Sequence, residues 1–219
     1  MRMNLLDIFV IQREEIKIDS QKIKAVIFDV DGTLYHLKKI YNMVRLEIIN
    51  YYLRNPGKVG DIQIITDFMR EREKHALDVV DDVENAQYEW AAKKTHSSPE
   101  KVRQVVDKWI FQVPLKYMYH CRRTDVLELF HKLIINGIAT GVFSDYPAAA
   151  KLEKLGLFPQ CIVSATDKNV GKLKPDPKGL LIAADILGVA VEDCLLIGDR
   201  DDRDGECARQ AGMPYLILD

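Results

Sequence analysis

Residues 25–33 read Ala-Val-Ile-Phe-Asp-Val-Asp-Gly-Thr, an apolar run that ends on two carboxylates one residue apart. Such a run is the pattern of a fully buried strand in a parallel sheet. Open α/β sheets bind their ligands beyond the carboxyl ends of the strands. Alternation along the strand directs Asp29 and Asp31 to the same side, and Gly32 supplies the freedom to turn sharply away. Two acids this close do not comfortably ionise together without a cation. The pair therefore points to a divalent metal, a shared proton, or both. Taken alone, a strand-end Asp-x-Asp-Gly is also an ordinary polar turn.

Three further segments bear on that choice. The apolar run from Ile138 ends in Val142-Phe143-Ser144-Asp145, bringing a hydroxyl to a strand end. Lys172-Leu173-Lys174-Pro175-Asp176-Pro177 puts lysines in a loop. Leu195-Leu196-Ile197-Gly198-Asp199 is a second buried-strand pattern that ends on an acid, with Asp204 five residues later. The order along the chain is acid pair, hydroxyl, lysine, acids.

That set resembles the haloacid dehalogenase-like (HAD) superfamily, mostly phosphatases with an aspartate nucleophile. Phe28-Asp29-Val30-Asp31-Gly32-Thr33-Leu34 matches the first family motif without departure. Ser144 fits the second, Lys174 in Lys-Pro-Asp-Pro the third, and Gly198-Asp199 with Asp204 the fourth. Ala208-Arg209-Gln210-Ala211-Gly212-Met213 closes the fourth as in other members. The resemblance covers residues 22–36 and 120–219, and four motifs in order are far more specific than one.

The resemblance implies an α/β fold: a doubly wound parallel sheet, the Rossmann-like HAD core, with an inserted α-helical cap domain. It places the core at residues 1–36 and 120–219 and the cap at 37–119, over the active site. Asp29 is then the nucleophile that forms an aspartyl-phosphate. Asp31 protonates the leaving oxygen and afterwards deprotonates the attacking water. Mg²⁺ is the implied cofactor, held by Asp29, the main-chain carbonyl of Asp31, and Asp199. Lys174 adds positive charge and Ser144 a hydrogen bond to the phosphoryl group. Asp204 orients the metal's waters or Lys174 from behind, and Thr33 stabilises the turn after the nucleophile. No substrate-binding residue is selected. Among the basic cap residues Arg70, Arg72, Lys74, His75, Lys93, Lys94 and His96, a solvated helix face is the default.

Size and composition agree. The 219 residues suffice for one core with a large insertion. Lys plus Arg number 31 against 33 Asp plus Glu, so there is no basic excess to attract nucleic acid. Cys121, Cys161, Cys194 and Cys207 are scattered without a Cys-x-x-Cys, which argues against zinc and against a disulfide framework. His36, His75, His96, His120 and His131 lack metal-ligand spacing. No apolar run approaches membrane-spanning length, and residues 5–11 lack the marks of a signal peptide. A cytoplasmic location is expected.

The elements that must position these residues follow from periodicity. Residues 1–21 precede the first core strand, and the charged stretch from Gln12 to Ser20 suits an extra edge strand or a docked arm. From Tyr41 to Phe111 the pattern is helical, with Tyr41, Val44, Ile48, Ile49 and Tyr52 on one stripe and Ile62, Ile65, Phe68 and Met69 on another. Ser98-Pro99-Glu100 opens a third helix. The insertion joins the core near His36–Lys39 and Leu115–Cys121. Beyond it, helices at 124–135, 147–155, 177–187 and 204–211 alternate with strands at 138–143, 161–165, 193–198 and 214–218, the mark of a parallel sheet with helices on both faces.

Some neighbours compete for roles. Lys172 rivals Lys174, but the proline after Lys174 matches the family. Asp201 and Asp202 read as a solvated turn, and Asp145 and Asp176 as helix caps. The function expected is a Mg²⁺-dependent phosphatase acting on a small phosphorylated metabolite. A phosphomutase or phosphotransferase is the alternative, and a non-catalytic phosphate-binding or receiver-like module is less favoured. A dehalogenase is disfavoured, because displacing halide needs no proton for the leaving group and Asp31 is present. The sequence leaves the oligomeric state open.

Overall fold

The apolar runs become five parallel strands: β1 (Ala25–Phe28), β2 (Ala139–Ser144), β3 (Cys161–Ser164), β4 (Cys194–Gly198) and β5 (Tyr215–Ile217). The computed structural model describes residues 22–218, so the segment expected as an edge strand or arm lies outside the described residues. The strand order is β3-β2-β1-β4-β5. β1 is central and wholly buried, with Phe28 in register with Val142 on one side and Ile197 on the other.

Alternation then sorts the strand residues to two faces. Val26 and Phe28 join Phe130, Leu133 and Leu152 in one core, whereas Ala25 and Ile27 join Leu180, Ala183 and Cys207 in the other. Both faces are covered by helices, as a parallel sheet requires.

Nine helices are described. The first five are α1 (Leu37–Arg54), α2 (Asp61–Lys74), α3 (Val83–Thr95), α4 (Pro99–Val106) and α5 (Met118–Cys121), all inserted after β1. The rest are α6 (Thr124–Ile135), α7 (Ala149–Leu155), α8 (Lys178–Leu187) and α9 (Glu206–Ala211). The Ser98 hydroxyl accepts from Lys101 N at 3.2 Å and caps α4, with Pro99 in its first turn. α4 runs on through a π-turn at Asp107–Gln112, where the Trp109 indole donates to the Tyr52 hydroxyl at 3.0 Å. The two connections to the core lie side by side. Tyr35 and Arg122 form an antiparallel bridge, His36 N donates to Cys121 O at 2.7 Å, and Arg123 N donates to Leu34 O at 3.0 Å.

Three expectations need correction. A π-turn over Asp201–Gly205 precedes α9, which therefore starts at Glu206. On α1 the buried positions are Ile40, Val44 and Tyr52, while Tyr41 and Ile49 are exposed. On α2 only Phe68 of the expected stripe is buried, together with Ile64, Asp61, Asp67, Glu71 and Arg72. α2 packs mainly against α3 and turns Ile65 and Met69 towards a cavity instead of a filled core.

Candidate active site

β1 delivers Asp29 to the carboxyl edge of the sheet, where its N–H still pairs with Ile197 O at 2.8 Å. The side chain is buried and fully engaged. Lys174 Nζ donates to Asp29 Oδ1 at 2.6 Å, and the Thr33 hydroxyl donates to Asp29 Oδ2 at 3.0 Å. Thr33 thus holds the carboxylate itself, not only the turn.

Lys174 comes from the loop between β3 and α8 and is 2% exposed. Its ammonium also donates to Asp204 Oδ1 at 2.7 Å. The loop is fixed by Asp145, whose Oδ1 accepts from Lys174 N at 2.9 Å and whose Oδ2 accepts from Arg203 at 3.2 Å. The expectation that Asp145 caps the following helix is therefore wrong: α7 starts at Ala149 without a side-chain cap. Asp176 does accept from Lys178 N at 2.9 Å, at the start of α8.

Asp204 Oδ2 accepts from Asp199 N and Arg200 N at 3.3 and 3.1 Å, so both oxygens of Asp204 are occupied. Space here is tight. A Cβ on Gly32, whose φ is +105°, would stand 2.0 Å from Asp199 Oδ2. Only glycine fits that backbone and that approach.

The ligand atoms of Asp29, Asp199 and Asp204 lie within 4.8 Å of one another. Burial pushes Asp29 up to about 8, with Lys174 opposing and the carboxylates of Asp204 and Asp31 adding to the rise. Burial and the Asp204 charge push Asp199 up to about 6. Burial pulls the Lys174 ammonium down, but Asp204 and Asp29 outweigh it and hold the lysine charged. Three carboxylates around one ammonium leave negative charge uncompensated, and an all-oxygen donor set suits a hard divalent cation. The residues present fit such an ion.

Asp31 stands apart from that trio. Both of its oxygens are held by Lys151 Nζ, at 2.5 and 2.7 Å, and one also accepts from the Tyr35 hydroxyl. Ser144 ends β2 fully buried, its Oγ accepting from Tyr146 N at 3.2 Å. Asp145 and Tyr146, not Ser144, form the cavity wall at this strand end. Asp201 and Asp202 pair with Arg209 and Arg200 at 3.0 and 2.7 Å, away from the acid trio.

The trio opens into a cavity of about 530 Å³ between the sheet edge and the inserted helices, with Tyr41, Ile65 and Met69 on the far wall. Arg72, read as a solvated charge, is instead 3% exposed. It donates to Asp145 O at 2.7 Å and to Gln87, and lies 4.2 Å from the Tyr146 ring. Arg200 pairs with Glu73 of α2, a second tie between insertion and core. Sequence reasoning missed Lys151 and Tyr35. The signal for Tyr35 was its place four residues after Asp31, but nothing local marked Lys151.

The sequence model of the haloacid dehalogenase-like hydrolases matches residues 23–212. The chain belongs to that family. This haloacid dehalogenase-like hydrolase is 28% identical over 201 residues to the glyceraldehyde 3-phosphate phosphatase of Methanopyrus kandleri, covering 87% of this chain and 82% of that protein. It is 43% identical over 72 residues to a phosphoglycolate phosphatase of Xanthomonas campestris, a match spanning only 32% of that relative's length. Among solved structures, a 2-haloacid dehalogenase from Pseudomonas syringae superposes with a TM-score of 0.62 at 20% identity, covering 90% of this chain and 86% of the other. A HAD phosphatase from Thermococcus onnurineus gives the same four values. At that identity the superpositions establish the fold alone. As a family member the chain is an enzyme, a hydrolase, and among the described residues no helix is long and apolar enough to cross a membrane.

Proposed function

We propose that this hydrolase is a Mg²⁺-dependent phosphatase that cleaves a small phosphorylated metabolite through an aspartyl-phosphate on Asp29. The observation that carries the reading is the Lys174 ammonium, 2.6 Å from Asp29 and 2.7 Å from Asp204, beside the third carboxylate of Asp199. Relatives whose names are phosphatases support water, not a sugar hydroxyl, as the final acceptor.

In the first step an Asp29 oxygen bonds to phosphorus as the ester P–O bond breaks, and the proton of Asp31 passes to the departing oxygen, releasing the alcohol. In the second, a water oxygen bonds to phosphorus while its proton goes to Asp31. The bond to Asp29 then breaks, returning the carboxylate and freeing inorganic phosphate. Lys174 offsets the charge that builds on the phosphoryl oxygens, while Ser144 stays buried behind Asp145 and Tyr146 and supports the wall instead of the phosphate. Mg²⁺, for which Asp29, the main-chain carbonyl of Asp31, and Asp199 would be the ligands, supplies charge neutralisation between carboxylate and phosphate. Asp204 orients Lys174. Residues 37–119 act as a cap whose α1 and α2 face the acids across the cavity and exclude water from the reaction.

Phosphate release from a panel of esters, with and without chelator, tests the reading. Activity should require Mg²⁺ and disappear in Asp29→Asn, since an amide is a poor nucleophile. Turnover above ~1% of wild type in that variant, with deamidation excluded by mass spectrometry, would remove Asp29 from the role.

A further inference from the structure

A second chamber of about 250 Å³ opens off the acid cavity between the core and the inserted helices. Asp31, Tyr41, Ile65, Met69 and Tyr146 border both spaces. The wall is mostly hydrocarbon: Ile65 and Met69 from α2 at the shared boundary, and beyond it Ile40, Val44 and Ile48 from α1 with Trp109. These side chains include much of the two apolar stripes that the sequence marks as core, yet they front an open chamber.

The polar groups are few, and the central ones are committed. Lys151, the ammonium on this wall, is already bonded to both oxygens of Asp31. Tyr35 donates to the same carboxylate. The remaining charged or hydroxyl-bearing side chains are Arg45 and Thr66, both on exposed positions of their helices, and the phenols of Tyr41 and Tyr146 at the boundary. A substrate carrying hydroxyls or a carboxylate into this chamber would leave most of them without partners, a desolvation cost that an apolar group avoids.

We propose that the chamber holds the organic part of the substrate, and that the substrate is the phosphate monoester of an apolar alcohol, aliphatic or aromatic. This rests on the phosphatase reading, in which Asp31 protonates the departing ester oxygen. Because Asp31 sits on the boundary of both spaces, an ester oxygen beside it has the phosphate on the acid side and its carbon chain on the hydrocarbon side. The chamber walls select by buried area, so each methylene that enters displaces water from apolar surface and adds to transition-state binding.

The test is a series of n-alkyl phosphates from ethyl to octyl, with benzyl phosphate, compared with phosphoglycolate and glycerol phosphate on the full chain with Mg²⁺. Expected is a rise in kcat/KM of roughly fourfold per methylene until the chamber is filled, then a plateau or fall. Polar esters should lie at least ~10-fold below alkyl esters of the same size. Ile65→Phe and Met69→Phe, each checked for native circular dichroism, should move the optimum to shorter chains, and either folded variant suffices. A flat chain-length profile, or a preference for the polar esters, overturns the proposal. Binding of the matching alkylphosphonates by calorimetry separates the two readings. If no ester is hydrolysed but affinity still climbs with chain length, the phosphatase reading falls and the apolar site stands. If affinity is independent of chain length, the apolar site falls.

Discussion

Lys151 grips both carboxylate oxygens of Asp31, at 2.5 and 2.7 Å, from a helix 120 positions further along the chain. Burial alone would raise the Asp31 pKa, but the Lys151 charge and hydrogen bonds, with that of Tyr35, carry it below the usual carboxylate value. Asp31 is therefore ionised at neutral pH before substrate arrives. The negative charge of an incoming phosphate works against Lys151 and favours the proton that Asp31 needs as an acid.

Lys151→Met removes that restraint. In the proposed first step activity falls as pH rises through the Asp31 pKa, so the alkaline limb of kcat/KM for an alkyl phosphate should move to higher pH in the variant. The stability effect has a definite sign. A depressed carboxyl pKa contributes stability above the unfolded value of ~3.9, and the contribution is lost as pH falls through the folded value. Urea unfolding at pH 7 should show a loss on the order of 2 kcal/mol, less than for a fully buried pair because the Asp31 side chain keeps 21% of its surface. At pH 2 the gap should narrow. An unmoved limb would mean that Lys151 does not tune Asp31.

Asp31→Asn should spare cation binding, where only its main-chain carbonyl is asked to serve. Hydrolysis of alkyl phosphates should fall ~10²-fold or more, and the first step with nitrophenyl phosphate should suffer less, since that leaving group needs no proton. Burst kinetics separate the two steps. Equal losses for both esters in the first step would contradict the acid role.

Asp199→Ala should raise the Mg²⁺ requirement more than Asp204→Ala does. Both Asp204 oxygens are already spent, on Lys174 and on the N–H groups of Asp199 and Arg200. Asp204→Ala should instead show as lost stability and a weakened kcat. Ca²⁺ should inhibit, its looser shell displacing carboxylate and phosphate. Calorimetric Mg²⁺ titration of both variants decides, and the reverse order would exchange the roles of the two acids.

Gly32→Ala probes the crowding beside Asp199. The new methyl meets Asp199 Oδ2 at 2.0 Å on a backbone at φ +105°. Strain of roughly 1–3 kcal/mol should appear in unfolding, together with weaker Mg²⁺ binding in calorimetry as the Asp199 carboxylate is pushed aside. Wild-type affinity in the variant would show that Asp199 is not a ligand.

Much of the core was legible because the central strands β1 and β4 are buried on both faces and read as unbroken apolar runs. The strand expected at 193–198 is Cys194–Gly198, and the helix expected at 124–135 is Thr124–Ile135. The placement of Asp29 and Asp199 at the cavity followed, since a carboxylate after such a run has one place to go, whereas Ser144, at the end of β2, turned out to be buried behind the wall. What stayed hidden depended on contacts distant in sequence. Lys151 lies in Ala-Ala-Ala-Lys-Leu-Glu-Lys, where a lysine is ordinarily solvated, and only the approach of Asp31 buries it. Arg72 looked like one of several exposed charges until the Asp145 carbonyl and the Tyr146 ring gave it a niche. Asp145 resembled a cap because Pro147 follows two positions later, and the Lys174 loop that claims it comes 29 positions later. The stripes on α1 and α2 held only in part, with Ile49 turned to solvent and Ile48, Ile65 and Met69 on the chamber, because periodicity marks an apolar face without telling what lies against it.

The bridge between Tyr35 and Arg122 has a further consequence. Because the chain leaves and rejoins the sheet at one spot, the core meets the inserted helices as a closed loop tied at its neck. Loop closure grows only logarithmically with length, about 0.6 kcal/mol for each doubling. The neck is thus a graft point, at which helices can be traded, enlarged or lost without shifting the register of β1 against its neighbours.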